Sequence, residues 1–163
     1  MTMFENENPI MPLADDGSGG STSKMLDFPI LKQSDYETSS NPNTHCAATC
    51  YLAIANYFDV NIDMSDLWGT VVNRNTGEVS TWNNHFSSTG PTSYSYNAVI
   101  RAVDQGHPVL LRGSSTMPMH FAVACGYGPN GLKVMDPYDG RIDYLGNTAL
   151  NNPPLKYWIC SKK

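Results

Sequence analysis

The chain has 163 residues, 40% of them hydrophobic and 15% charged, which suits one domain with an ordinary core and excludes disorder along its whole length. Its formal net charge is −5 and it has no long basic run, so it lacks the clustered Lys and Arg side chains that nucleic-acid binding requires. No apolar stretch approaches the roughly 20 residues needed to cross a bilayer, so we expect no membrane span.

Residues 1–25 are predicted to form a flexible N-terminal tail, because the Gly- and Ser-rich segment 15–23 has little to bury. A leader that is processed at Gly19-Gly20 is the alternative. The N-terminus is acidic and lacks both a basic region and an apolar core, so it does not have the pattern of a Sec signal peptide. We therefore expect a protein that is cytoplasmic or exported by a non-Sec route, with its domain over residues 26–163.

The domain is predicted to open with a short edge strand over Leu26–Lys32, because Pro29 cannot donate a ladder hydrogen bond. Gln33 and a polar loop follow this strand. A largely buried helix is predicted over His45–Phe58, since apolar side chains recur at the i, i+3, i+4 and i+7 spacing of one helix face. Thr44 is the expected N-cap of this helix.

Two further helices are predicted before the strands begin. Residues 62–71 are expected to form a short helix that Asp63 caps. Residues 73–92 are rich in Asn, Thr, Ser and Gly and are interpreted as a surface loop. The amphipathic segment 93–105 predicts a helix that ends at Gly106.

After this helix the hydrophobic pattern changes to that of strands. A Pro-Asn-Gly turn between two of them predicts a hairpin. Helices that precede a run of strands indicate an α+β domain with an antiparallel sheet. The predicted strands cover residues 108–112, 120–127, 131–135, 141–145 and 156–160.

Cys46 has the most evident chemistry, because it lies where the polar loop passes into the apolar helix. Free backbone N–H groups and the helix dipole stabilise a thiolate there, and the thiolate is the species that attacks an acyl carbon. An isolated cysteine usually only packs in a core, and this is our interpretation of Cys50. A redox partnership between the two cysteines, or a zinc site that they form with His45 or His120, are weaker alternatives. The cysteines are expected to be mostly reduced.

His120 is the expected general base, because a His at the start of an apolar strand can project into a cleft while the strand lies in the core. Asp136 ends the following predicted strand. If the two strands pair as a hairpin, the carboxylate approaches the imidazole, fixes its tautomer and supports its charged form. Asp139 is a weaker substitute in this role. His45 is adjacent to Cys46, but neighbours on a helix point about 100° apart, so direct pairing is unfavourable.

Gln33 precedes Cys46 by thirteen residues and offers a side-chain amide. That amide can join the backbone N–H of Cys46 in binding the oxyanion of a tetrahedral intermediate. The set Cys46, His120, Asp136 and Gln33 would supply a nucleophile, a base, a group that orients the base and an oxyanion donor. Such a reaction needs neither a cofactor nor a metal.

Five segments follow one another in the chain: Lys32-Gln33-Ser-Asp, Cys46-Ala-Ala-Thr-Cys50, Pro108-Val-Leu-Leu-Arg, His120-Phe-Ala-Val-Ala-Cys-Gly-Tyr127 and Asp136-Pro137-Tyr. Taken together, these segments resemble the papain-like cysteine peptidases and, most closely, the bacterial C39-like peptidases. The resemblance covers roughly residues 26–145 and implies a papain-like fold, with N-terminal helices packed on an antiparallel sheet. By position it implies the same four roles: Cys46 as nucleophile, His120 as base, Asp136 as its orienting group and Gln33 in the oxyanion hole.

The expected function is that of a cysteine hydrolase, which cleaves a peptide or peptide-like amide bond through an acyl-thioester intermediate. A peptidoglycan amidase or endopeptidase, acting as a lysin or antibacterial effector, is an alternative on the same fold. A catalytically silent binding domain and a transferase that uses an amine acceptor are two others. The expected partners are a peptide or cell-wall peptide substrate and, as a further candidate, an immunity or inhibitor protein.

Overall fold

The computed structural model describes residues 23–38, 44–113, 120–150 and 153–163. Most of the predicted tail, including Gly19-Gly20, therefore lies outside the described residues. The helices are α1 (Cys46–Tyr57), α2 (Met64–Leu67) and α3 (Tyr96–Asp104). The strands are β1 (Lys24–Met25), β2 (Ser87–Ser93), β3 (Val109–Arg112), β4 (Phe121–Gly128), β5 (Gly131–Asp136), β6 (Arg141–Tyr144) and β7 (Lys156–Ser161).

Within the described part of the chain, the strands form one antiparallel sheet in the order β2-β7-β3-β4-β5-β6, and β1 pairs with the end of β4 that is nearest the hairpin turn. β4 and β5 are the hairpin that the Pro-Asn-Gly segment predicts. The helices α1 and α3 both pack against β4. The predicted α+β class, with helices on an antiparallel sheet, is confirmed.

The strand β4 lies at the centre of the core, since every one of its residues is buried. Its side chains alternate between the two faces of the sheet, so burial along its whole length requires cover on both faces. The helix α1 is buried throughout residues 47–55, which explains why it contains no charged side chain. The helix α3 buries one face, through Val99, Ile100 and Val103, as its amphipathic pattern predicts. The helices and the central strands therefore contribute to one core.

The predicted edge strand over Leu26–Lys32 is wrong. The strand is Lys24–Met25, and the residues after it are irregular. The chain turns because the N–H of Phe28 donates to the carbonyl of Leu26, and the next residue, Pro29, has no N–H with which to continue a ladder. The side chains of Leu26 and Phe28 are buried, so the apolar pattern in this segment reflects core packing.

The start of α1 also differs from the prediction. The helix begins at Cys46, and its N-cap is His45 rather than Thr44, with no side-chain capping bond. The hydroxyl of Thr44 lies 3.0 Å from Nδ1 of His45 instead. The Thr44 hydroxyl is therefore engaged with the imidazole and does not cap the helix.

Two polar segments were predicted incorrectly in extent. The helix α2 covers only Met64–Leu67 of the predicted 62–71, although Asp63 caps it through a capping box, as expected. Most of β2 falls in the segment 73–92 that was interpreted as a loop. β2 is an edge strand beside β7, so its residues are half-buried or exposed. Such a strand needs no alternating apolar pattern, and the sequence shows none. Among the described residues, none of the helices has the length and apolar character that crossing a bilayer demands.

Candidate active site

His120 and Asp136 meet at the open end of the β4–β5 hairpin. Nε2 of His120, which immediately precedes β4, lies 2.9 Å from Oδ1 of Asp136, the last residue of β5. The Asp136 carboxylate is fully buried and also accepts the backbone N–H groups of Tyr138 (2.9 Å) and Ala149 (2.7 Å). The carbonyl of His120 accepts the N–H of Gly113 at 2.7 Å. Both residues are therefore held in defined orientations.

A bulge in β4 allows these two side chains to share a face of the sheet. The pairing register between β4 and β5 shifts by one residue between Ala124 and Gly126, so Cys125 has no counterpart on β5. Successive side chains on a strand point to opposite faces, and one extra residue reverses the alternation beyond it. Without the bulge, Asp136 would lie on the face opposite to that of His120. The bulge is thus a structural requirement for their contact.

The surroundings of His120 hold its imidazole in the charged form at neutral pH. Burial by itself lowers the pKa of this ring, whose side chain is 12% exposed. Hydrogen bonds to the side chains of Asp136 and Cys46, and the negative charges of these groups, outweigh burial and raise the pKa of His120 to about 9. Burial likewise raises the pKa of Asp136, but bonding to His120, the charge of that ring and two backbone N–H groups bring the pKa below its ordinary value.

Cys46 is the second side chain that hydrogen-bonds to this imidazole. Since Nε2 of His120 is bonded to Asp136, Nδ1 is the ring nitrogen left for the hydrogen bond with the Cys46 side chain. All four cysteines are free thiols, and Cys46 is only partly buried, whereas three others are fully buried: Cys50, Cys125 and Cys160. A partly buried cysteine, an imidazole and a buried carboxylate thus follow one another in contact.

Gln33 lies in a short 3-10 turn that is linked to both sides of this group. Its backbone N–H donates to the carbonyl of Pro137 (2.8 Å), just beyond β5. Its buried side chain donates from Nε2 to Oε2 of Glu37 (2.9 Å). The same oxygen of Glu37 accepts the backbone N–H of His45 (3.0 Å), the residue before α1. The structure therefore places Gln33 between the end of β5 and the start of the helix that carries the thiol.

Two other histidines of the described residues, His45 and His85, have partners of their own. The ring of His45 stacks on Trp68, with centroids 4.0 Å apart. Burial lowers the pKa of His45, and the charge of Glu37 opposes this effect only in part. Nδ1 of His85 lies 2.7 Å from the hydroxyl of Tyr51. Neither ring replaces His120 in contact with the thiol.

Three weaker alternatives were Asp139 as the orienting carboxylate, Cys50 as a redox partner and a zinc site, and the geometry of the described residues supports none of them. Asp139, the substitute carboxylate, lies 3.5 Å from Nε of Arg141 on the surface. Burial raises the pKa of the Cys50 thiol well above its ordinary value, as for a packed core cysteine. Over the ranges that the structure describes, no group of three or more His, Cys, Asp or Glu side chains is arranged to hold a metal ion.

Two residues of this region escaped the sequence analysis. Glu37 lies in a polar segment where a glutamate is ordinary, and its i, i+4 spacing from Gln33 is the signal that points to their contact. Tyr138 directly follows the Asp-Pro pair, and its ring meets that of His120 edge-on, with centroids 6.4 Å apart. Neither residue belongs to a periodic hydrophobic pattern, so the pattern analysis does not single it out.

The chain matches a known protein family over most of its length. The family model described as the Peptidase_C39 like family matches residues 25–158, which is most of the chain. The chain belongs to the Peptidase_C39 like family. The matched range includes all four of the candidate residues: Gln33, Cys46, His120 and Asp136.

A solved structure supports the fold of this C39-like chain. The crystal structure of a candidate C39-like peptidase from Bacillus anthracis superposes with a TM-score of 0.59 and 13% sequence identity. The match covers 88% of this chain and 99% of the other. At that identity the match shows a shared fold, and the papain-like α+β architecture predicted from the sequence is confirmed. Comparison with curated proteins finds no match.

Proposed function

We propose that this C39-like protein is a cysteine hydrolase that cleaves a peptide or peptide-like amide bond through an acyl-thioester intermediate. The observation that supports this most directly is the contact series from Cys46 through His120 to the fully buried Asp136, in which the imidazole and carboxylate are 2.9 Å apart. An elevated pKa of His120, about 9, favours an imidazolium beside the sulfur at neutral pH. A positive charge beside a cysteine sulfur favours the thiolate, which is the nucleophilic form.

In the proposed reaction, the Cys46 thiolate attacks the carbonyl carbon of the scissile amide. The negative charge that develops on the carbonyl oxygen is stabilised by the side-chain amide of Gln33 and the backbone N–H of Cys46. The imidazolium of His120 donates its proton to the leaving amine, and an acyl-thioester remains on the sulfur. Neutral His120 then takes a proton from water, whose oxygen attacks the thioester and releases the acid. Asp136 orients the ring and stabilises its charged form throughout.

Peptides and purified peptidoglycan are the substrates to compare, with products identified by mass spectrometry. Cys46→Ala should abolish every cleavage that the wild type performs. Cys50→Ala is the matched control, because it removes a thiol one turn further along the same helix, and it should retain activity. Full activity in Cys46→Ala would exclude the proposed mechanism.

A small activated ester tests the chemistry independently of substrate identity. p-Nitrophenyl acetate should leave one acetyl group on the wild-type protein, at Cys46, detectable by mass spectrometry of the intact chain and its fragments. A wild-type protein that forms no acyl-enzyme with this ester, and cleaves neither peptides nor peptidoglycan, would be the catalytically silent binding domain.

A further inference from the structure

The segment just after the Gln33 turn contains a carboxylate in an unusual position. Glu37 has a side chain that is only 10% exposed. A single oxygen of this side chain, Oε2, accepts two hydrogen bonds: one from Nε2 of Gln33 (2.9 Å) and one from the backbone N–H of His45 (3.0 Å). One atom therefore connects the proposed oxyanion donor with the residue that precedes the nucleophile.

The chemistry of a carboxylate determines which way the Gln33 amide faces. An ionised carboxylate accepts hydrogen bonds and cannot donate them, so the NH₂ end of the amide must face Glu37. If the amide were rotated by half a turn, Oε1 of Gln33 would face Oε2 of Glu37, and two acceptors would be opposed. The NH₂ group has two hydrogens, and only one is used by Glu37, so the second remains for a developing oxyanion.

This orientation of the Gln33 amide has an energetic cost. Oε1 of Gln33 is buried and has no hydrogen-bond partner among the described residues. A buried carbonyl without a partner is unfavourable, so the amide would not adopt this orientation without a compensating interaction. The hydrogen bond to Oε2 of Glu37 is such an interaction, because the backbone N–H of His45 already holds this acceptor oxygen in place.

We infer that Glu37 is a positioning residue, which holds the Gln33 amide with an N–H directed at the oxyanion and ties it to the start of α1. This inference rests on the proposed function, since the orientation of Gln33 matters only if an oxyanion forms at Cys46. Glu37 itself acts through Gln33 and the backbone, and the role depends on its two accepted hydrogen bonds rather than on its charge.

Two reagents that react with the same sulfur separate this role from a structural one. p-Nitrophenyl acetate acylates Cys46 through a tetrahedral oxyanion, whereas iodoacetamide alkylates it by displacement of iodide, with no oxyanion. Glu37→Met keeps the approximate length of the side chain and removes its acceptors. It should slow acylation by about 10- to 100-fold, somewhat less than the loss of a whole oxyanion donor, and leave the alkylation rate within about twofold. The exposed Glu78→Met is the matched control and should change neither rate.

Two conservative variants keep the inference testable if Glu37→Met does not fold. Glu37→Gln retains an acceptor oxygen at the same distance and should acylate within about threefold of the wild-type rate. Glu37→Asp retains the charge but withdraws the oxygen by one methylene, so it should acylate more slowly, by about tenfold. Loss of acylation in Glu37→Gln with full activity in Glu37→Asp would show that charge matters and would overturn the inference.

A double-mutant cycle decides whether Glu37 acts through Gln33. Gln33→Ala should slow acylation strongly, and the addition of Glu37→Met should then have little further effect, because its target is absent. Fully additive effects, or equal losses of acylation and alkylation in Glu37→Met, would overturn the inference. A wild-type protein that iodoacetamide labels at Cys46 but p-nitrophenyl acetate does not acylate would instead contradict the proposed function, on which this role depends.

Discussion

The substitution Asp136→Asn tests the electrostatic core of the site. In the wild type, one carboxylate oxygen accepts from His120 and Tyr138 and the other accepts from the N–H of Ala149. The carbonyl of an Asn can replace only the first oxygen, because its NH₂ group would then face another donor, the N–H of Ala149. One buried N–H is left unsatisfied, at a cost of about 1–3 kcal/mol.

The larger effect is on the protonation of His120. Without the carboxylate, the side chain of Cys46 alone still opposes burial, and we expect the pKa of His120 to fall from about 9 towards its ordinary value of 6.5. A full return to 6.5 would correspond to about 3 kcal/mol of lost interaction between the imidazolium and its surroundings. The imidazole would then be largely neutral at pH 7.5, and the sulfur of Cys46 would lose its charged partner.

Stability should change with pH in a defined direction. The folded pKa of His120 lies above its ordinary value of 6.5, so its contribution to stability is complete below pH 6.5 and is lost as the pH rises through about 9. Urea unfolding of the wild type should therefore show a steeper decline over this window than that of Asp136→Asn. The difference between the two curves should approach about 3 kcal/mol, since buried thiols affect both proteins alike.

The direct measurement is an NMR titration of the imidazole signals, with that of His120 assigned by comparison with a His120→Gln variant. Asp139→Asn is the matched control, because Asp139 follows three residues later on the surface and should leave the titration unchanged. If His120 titrates at the same pH in Asp136→Asn as in the wild type, or if the two stability curves run parallel from pH 6 to 9.5, the electrostatic reasoning is refuted.

Three further substitutions test separate parts of the structure. Gln33→Ala should lower kcat by about 100- to 1000-fold, as expected for an oxyanion donor, while iodoacetamide still labels Cys46 at the wild-type rate. Asp63→Ala removes the capping box of α2 and should lower the free energy of unfolding by about 1 kcal/mol in urea titrations, with little effect on activity. Ile54→Ala opens a cavity in the fully buried face of α1 and should cost about 2–5 kcal/mol in the same assay.

Each of these expectations has a result that would contradict it. Unchanged turnover in Gln33→Ala would remove that side chain from the mechanism. If Asp63→Ala folds but loses most of its activity, α2 contributes to the site, and the expectation of an effect on stability alone is wrong. A loss of less than 1 kcal/mol in Ile54→Ala would mean that the core around α1 relaxes far more easily than its complete burial indicates.

Local sequence patterns were sufficient to predict the helices whose buried residues recur at regular spacing, and the turn of the central hairpin. The apolar spacing of α1, the amphipathic pattern of α3 and the turn between β4 and β5 each predicted an element that the structure contains. The edge strand β2 shows the limit of this approach. Its polar residues gain their conformation from pairing with β7, so no local apolar pattern marks them.

The amino-acid sequence by itself determined the order of the reactive groups: a thiol at a helix start, a histidine before a core strand and an aspartate at the end of the next one. Only the tertiary structure decided that they meet. The contact between His120 and Asp136 depends on the extra residue at Cys125, because a pleated strand reverses its faces with every residue, and a bulge is a property of strand pairing. The role inferred for Glu37 likewise depends on a fold that brings a polar loop against the first turn of α1.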